Sequence, residues 1–198
     1  KDMWVYYFVR TLVRIYYKMM FKMEFIGMEH VPKEGPAVLC CNHISNYDPL
    51  TMAAFLDRLP RFIAKKELFR NKLFAKLLYA LKAFPVDREA AMDMKSFKTA
   101  VKTLKEGEML GIFAEGTRVK EGEEKAAKAG VAMFALKGNA PVIPVAISGK
   151  YKFRGKITVS FGEPMWLEEY RDIRVTTEKL EEITGKIMTK VNEMKVKE

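Results

Sequence analysis

From residue 25 onward, short apolar runs alternate with stretches of helical spacing, and turn residues punctuate the alternation. Runs of four to eight apolar residues bounded by Gly, Pro and Asn read as strands, and longer stretches with a period near 3.6 read as helices. Strands are expected at Ala37–Cys41, Arg61–Ala64, Met109–Phe113, Val142–Ser148 and Ile157–Phe161. The helical stretches are Pro49–Leu56, residues 66–82, Ala90–Lys105, Ala126–Lys137 and Thr177–Lys195, with turns at Pro32–Pro36, Glu106–Gly107, Gly138–Asn139 and Gly162–Pro164. Such an alternation specifies an α/β domain. Pro144 sits inside a strand without a ladder donor, so an irregular or edge stretch is expected there.

Residues 3–23, MWVYYFVRTLVRIYYKMMFKM, have a different build. Apart from Thr11, the only polar residues are Arg10, Arg14, Lys18 and Lys22, which recur at every fourth position. A helical step of four residues advances about 40°, so the cations share one drifting stripe and the rest of the surface is apolar or aromatic. A helix of this length reaches ~30 Å, enough to cross a bilayer core, but four cations make spanning costly. A helix lying in the interface fits better, with Trp4 and the tyrosines at the headgroup level and Arg10, Arg14, Lys18 and Lys22 facing anionic lipid. The alternative is a core helix with a charged rim. On the first reading, residues 1–24 form a membrane-interfacial segment and residues 25–198 one α/β domain.

The charge of the chain supports an anionic partner. Of a net +10, residues 1–24 carry +3 and residues 58–88 carry +7, while the remainder sums to zero. A charge so confined marks a surface for phospholipid, nucleic acid or an acidic carrier protein. No nucleic-acid-binding motif accompanies it. The basic segment at 58–84 is read either as core packing with a solvated face or as a second membrane patch. Cys40 and Cys41 are adjacent and cannot staple distant parts of the chain, which suits a reducing compartment. Nothing at the N-terminus has the build of a cleavable signal, and no histidine cluster suggests a metal. His30 lies in a polar loop and is expected to be structural.

The stretch NHISNYD, residues 42–48, places His43 just beyond an apolar strand, with Asp48 five positions on. An imidazole there can act as a general base, with a carboxylate fixing its tautomer and stabilising the imidazolium. Asp48 followed by Pro49 is also a helix start, N-cap then N1, and that alternative stays open on these residues alone. EGTR at 115–118 follows a strand and offers backbone N–H groups and a guanidinium to an anion; a solvated turn would look the same.

Taken in order, NHISNYD, the basic segment with FIAKKEL and PVDR, FAEGTR and VIPVAI resemble the four blocks of the bacterial 1-acylglycerol-3-phosphate acyltransferase family. The lead-in FIGMEHVPKEGPAVLCCNH is similar too, and the likeness covers about residues 25–165. One departure is Ala114, where the family usually has proline. The resemblance implies a mixed, mostly parallel sheet flanked by helices, with the interfacial helix at its start. It implies that His43 deprotonates the 2-hydroxyl of lysophosphatidic acid and that Asp48 orients it. The attack falls directly on the thioester of acyl-CoA or acyl carrier protein, co-substrates rather than cofactors, and gives phosphatidic acid. Arg118, with Glu115, Gly116 and Thr117, would form the acceptor's phosphate site together with Arg88 and Lys65. Ile143, Pro144 and Val145 would line or support the acyl region. The expected location is the cytoplasmic face of the cell membrane, as a peripheral or monotopic protein with no nucleic-acid partner.

Three alternatives accompany that expectation. Cys41, two residues before His43, would be the nucleophile of a thioesterase. Glycerol 3-phosphate would be the acceptor of a 1-acyltransferase with the same motifs. A lipid-binding protein without catalysis would need only the basic and apolar surfaces.

Overall fold

Ala37–Cys41 is buried along its whole length, as befits a run without polar alternation that is covered on both faces. In the computed structural model, which describes residues 3–87, 93–114, 123–171 and 175–196, this run is the middle strand of one sheet. The strands are β1 (Lys22–Ile26), β2 (Ala37–Cys41), β3 (Arg61–Lys65), β4 (Phe84–Val86), β5 (Met109–Phe113), β6 (Val142–Gly149) and β7 (Lys156–Phe161). Their order is β1-β7-β6-β2-β5-β3-β4. From β6 to β4 all neighbours are parallel; β7 runs antiparallel to β6, and β1 is parallel to β7. The sheet is therefore mixed and mostly parallel, as expected.

Successive side chains of β2 point to opposite faces and so define two cores. Leu39 and Cys41 join one core with Tyr17 and Phe21 near the N-terminus and with Met52 and Leu56. Val38 and Cys40 join the other with Leu104, Val131, Ala132, Ile183 and Ile187. The first face is covered by α1 (Met3–Met20) and α2 (Asp48–Phe55). Beyond them in the chain comes α3 (Lys72–Ala80), and the opposite face is covered by α4 (Met94–Lys105), α5 (Glu123–Gly138) and α6 (Thr177–Glu193).

Several boundaries differ from the sequence reading. The N-terminal helix stops at Met20, and Lys22–Glu24 belong to edge strand β1, so these residues are sheet rather than interfacial helix. β4 was also not anticipated; its Pro85 is tolerated because β4 is an edge strand. The helix expected over 66–82 is a 3-10 turn at Lys66–Phe69 followed by α3, with Asn71 Oδ1 accepting from Leu73 N–H at the break. α4 begins at Met94, where the Asp93 side chain accepts from the amides of Lys95 and Ser96. Pro144 lies in the interior of β6, and the irregularity falls on its neighbour. β7 pairs with β6 only from Val145 onward, Gly162 N–H reaches Pro144 O, and the chain loops out before Met165 rejoins at Val142.

The orientation of α1 is the main correction. Arg10 and Arg14 turn inward: both donate to the carbonyl of Ala54, and Arg10 also donates to that of Leu56. These are the last carbonyls of α2, where cations are favoured by the helix dipole and by unpaired acceptors. Tyr17 donates to Tyr47 O at the other end of α2. The outward face instead carries Phe8, Leu12, Ile15 and Met19, all exposed, with Lys18 and Lys22 exposed beside them. Trp4 falls on the first turns of the same helix. Among the described residues no helix is long and apolar enough to cross a membrane.

The basic segment divides in the same way. Arg58 donates to Pro32, Gly35 and Gly107 carbonyls, while Arg61 and Lys82 pair with Glu108. Those cations hold loops together, whereas Lys65, Arg70, Lys72 and Lys76 remain exposed.

Candidate active site

At the carboxyl end of β2 the chain leaves the sheet, and Asn42 controls how it leaves. Its buried side-chain amide donates to Ile147 O (2.9 Å) and accepts from Ile147 N–H (2.7 Å). In this way a side chain adds one rung to the β2–β6 ladder, whose last backbone pair is Cys41 with Val145. Ala114 N–H donates to Cys41 O on the β5 side. The backbone before His43 is thus held from both neighbouring strands.

His43 Nδ1 lies 2.7 Å from Asp48 Oδ2. The same oxygen accepts the amides of Ile44 and Ser45, each at 2.8 Å. Asp48 is the first residue of α2, and its carboxylate turns back into the loop rather than onto the helix amides. The cap alternative is therefore set aside, since the N-cap position is Tyr47 and has no side-chain hydrogen bond. Ionised carboxylate oxygens only accept, so Nδ1 carries the proton and Nε2 of the neutral ring has a free lone pair. Asp48 is fully buried, whereas the His43 side chain is 28% exposed. The pair is sealed from below and open from above.

Two aromatic rings support the imidazole. Phe113 lies 4.6 Å from it, centroid to centroid, and Phe62 stacks on Phe113 at 5.6 Å. Gly111 makes room for this stack, because a Cβ there would collide with the Phe62 ring. Beneath Asp48, Tyr151 donates its hydroxyl to Thr51 (2.9 Å), whose own proton goes to Tyr47 O. Asp48 Oδ1 is buried and has no hydrogen bond among the described residues. Burial, followed by the Asp48 charge, pushes the Tyr151 phenol well above its ordinary pKa, so it stays protonated. Asn42, Thr51 and Tyr151 were not singled out from sequence. Asn42 left a signal, an amide at the end of an apolar run beside the histidine, but its partner is more than a hundred residues away.

Lys65 stands exposed at the carboxyl end of β3, two strands from β2. Arg88, Glu115, Gly116, Thr117 and Arg118 lie outside the described residues. Asp87 and Ala114, which precede them, follow directly on β4 and β5, and both strands end on the same edge of the sheet as β2. Ile143, Pro144 and Val145 are buried within β6, so they support the sheet rather than line an open surface. Cys41 is fully buried, and burial raises its thiol pKa well above the ordinary value, which argues against a thiolate nucleophile. His30 donates from Nδ1 to Phe161 O and ties the segment after β1 to the end of β7, a structural role. Among the described residues no group of three His, Cys, Asp or Glu is placed to hold a metal ion.

The Acyltransferase family model matches residues 22–148. A 1-acyl-sn-glycerol-3-phosphate acyltransferase of Bacillus subtilis is 32% identical over 199 residues, covering 98% of this chain and 98% of the relative. The chain belongs to the 1-acyl-sn-glycerol-3-phosphate acyltransferase family. Another member, from Pseudomonas aeruginosa, is 30% identical over 157 residues; the match takes in 74% of this chain and 60% of that longer protein. The crystal structure of the 1-acyl-sn-glycerophosphate acyltransferase from Thermotoga maritima has the same fold, with a TM-score of 0.69 at 22% identity over 99% of this chain and 82% of that one. As an acyltransferase of this family, the chain carries its histidine and aspartate in the first part of the matched segment.

Proposed function

We propose that the chain transfers an acyl group from an acyl thioester to the 2-hydroxyl of 1-acylglycerol 3-phosphate, with His43 as general base. The observation that carries this reading is the His43–Asp48 pair, with Nδ1 held at 2.7 Å by a buried carboxylate that two amides fix in place. Nε2 takes the hydroxyl proton as the oxygen attacks the thioester carbonyl. The C–O bond forms, the tetrahedral intermediate collapses with loss of the C–S bond, and the thiolate of CoA or carrier protein recovers the proton from the imidazolium. Asp48 stabilises that transient cation. Arg88 and Arg118, together with Lys65, are proposed to receive the acceptor's phosphate, for which a guanidinium is suited by its two parallel donors.

Both acceptor and product are amphiphiles, and we place the chain at the cytoplasmic membrane surface as a peripheral or monotopic enzyme. The exposed row Phe8, Leu12, Ile15 and Met19 supports this, with Lys18 and Lys22 at its edge. It replaces the stripe of Arg10 and Arg14 as the lipid-facing element.

The test is acyl transfer by purified protein, with acyl-CoA and acyl carrier protein as donors and with 1-acylglycerol 3-phosphate and glycerol 3-phosphate as acceptors. Asp48→Asn is expected to lower kcat by roughly 10⁴, the effect of losing an orienting carboxylate. A capping role would leave it nearly unchanged. Turnover by His43→Ala at the parent rate would overturn the proposal.

A further inference from the structure

The loop between β6 and β7 alternates cations and aromatics in Gly149-Lys150-Tyr151-Lys152-Phe153-Arg154-Gly155. Its two aromatics take opposite paths. Tyr151 packs inward, its ring 5.3 Å from both Tyr47 and Phe21. Phe153 is 70% exposed, a large apolar ring left in water at the tip. Arg154 adopts a left-handed conformation (φ 56°), and its amide donates to Met20 O, which latches the tip to the end of α1. Lys22 N–H in turn donates to Gly155 O.

Between this tip and α1 lies a cleft of about 140 Å³, lined by Lys18, Met19, Phe21, Lys22, Phe153 and Arg154. Its lining includes three cations and no carboxylate. The rim is apolar: Met19 is 72% exposed on one side and Phe153 on the other. From Met19 the apolar surface continues along α1 through Ile15, Leu12 and Phe8. Converging cations within an apolar rim match an anion that is bonded to hydrocarbon, whereas a free anion would gain nothing from the rim.

We propose that this cleft binds the headgroup phosphate of an anionic bilayer phospholipid, with Phe153 entering the acyl boundary beside Met19. The inference rests on the membrane reading above and extends its lipid-facing row with Phe153 and Arg154, from a loop far from the first helix in sequence. Its tip is one short turn from Tyr151, and the Tyr151, Tyr47 and Phe21 rings connect the cleft to the loop that holds Asp48. A lipid seated there places the mouth of the His43 site against the bilayer.

Co-sedimentation of the full chain tests this with phosphatidylcholine vesicles, pure or doped with phosphatidylglycerol. Lys22→Gln with Arg154→Asn is expected to weaken binding to the doped vesicles roughly tenfold and to leave pure phosphatidylcholine unaffected; asparagine tolerates the left-handed backbone. Phe153→Ser is expected to weaken binding to both. The control pair Lys98→Gln with Lys105→Gln removes the same charge from α4, on the other side of the sheet, and is expected to bind like the parent. Equal binding by both double variants, with the parent still bound, would overturn the cleft and leave the membrane reading standing. A parent that binds neither vesicle would overturn both, and displacement from doped vesicles by millimolar inorganic phosphate would overturn the choice of a lipid ligand.

Discussion

Arg14 of the first helix donates its Nε–H to the carbonyl of Ala54, in the last turn of the helix that begins with Asp48. With Arg10 at Ala54 and Leu56 and Tyr17 at Tyr47, α1 holds α2 at both ends. Replacing Arg14 with Met keeps much of the stem packing but removes one of the two donors to Ala54 O, leaving that of Arg10. The expected loss is about 0.5–1.5 kcal/mol in denaturant unfolding, with a lower kcat because Asp48 rides on the loosened helix.

Gly111→Ala places a Cβ against the Phe62 ring and so disturbs the stack behind His43. Overpacking of this kind costs typically 1–3 kcal/mol. A drop in both melting temperature and kcat is expected, and adding Phe62→Leu should recover part of each. An unaltered single variant would show that the ring stack yields without moving the imidazole.

Asn42→Ala removes both side-chain bonds to Ile147 and leaves buried backbone groups of β6 unpaired. The expected cost is roughly 1–3 kcal/mol per orphaned group. Activity should fall further than stability accounts for at a temperature where the variant is still folded. Single-temperature kinetics alongside a melt separate the two effects.

Asp93 holds together the end of β4 and the start of α4. The amide of Asp87 is the chief cause that draws its pKa down to about 2, with the Ser96 side chain and amide adding to it. A folded value below the unfolded ~3.9 means the contribution is complete above that pH and is lost as pH falls towards about 2. Melting temperature followed through this acid window should therefore fall more steeply in the parent than in Asp93→Asn. Asp93→Ala should cost about 1 kcal/mol at neutral pH by loss of the cap.

Cys41→Ala should retain acyl transfer within a few-fold, since the thiol is buried in the core and held protonated by burial. Loss of transfer in a variant that still melts like the parent would restore the thioesterase alternative.

Much of the fold was legible because β2, β5 and β6 are buried on both faces and so appear as unbroken apolar runs. β1 and β4 were hidden for opposite reasons. β1 continues the aromatic pattern of the helix before it, and β4 is a three-residue edge containing a proline. The cations of α1 show where periodicity stops: spacing says which residues share a face, but not whether that face looks in or out. The acceptors that turn Arg10 and Arg14 inward are some forty residues away. For His43 and Asp48 the sequence offered two readings of one spacing, and only the folded chain shows that the carboxylate turns to the imidazole and the loop amides rather than to the helix amides. Thr51 and Tyr151 carry no local signal at all, because their meeting depends on a loop one hundred residues downstream.

The double duty of α1 also limits how such a chain can be rebuilt. A segment that seals the interior with Tyr17, steadies the neighbouring helix with Arg10 and Arg14, and shows the outside a greasy row of Phe8, Leu12, Ile15 and Met19 is no detachable address tag. A chimera that grafts another protein's leading helix onto this sheet has to transplant the inward contacts as well as the outward ones, or the graft will loosen the helix that carries Asp48.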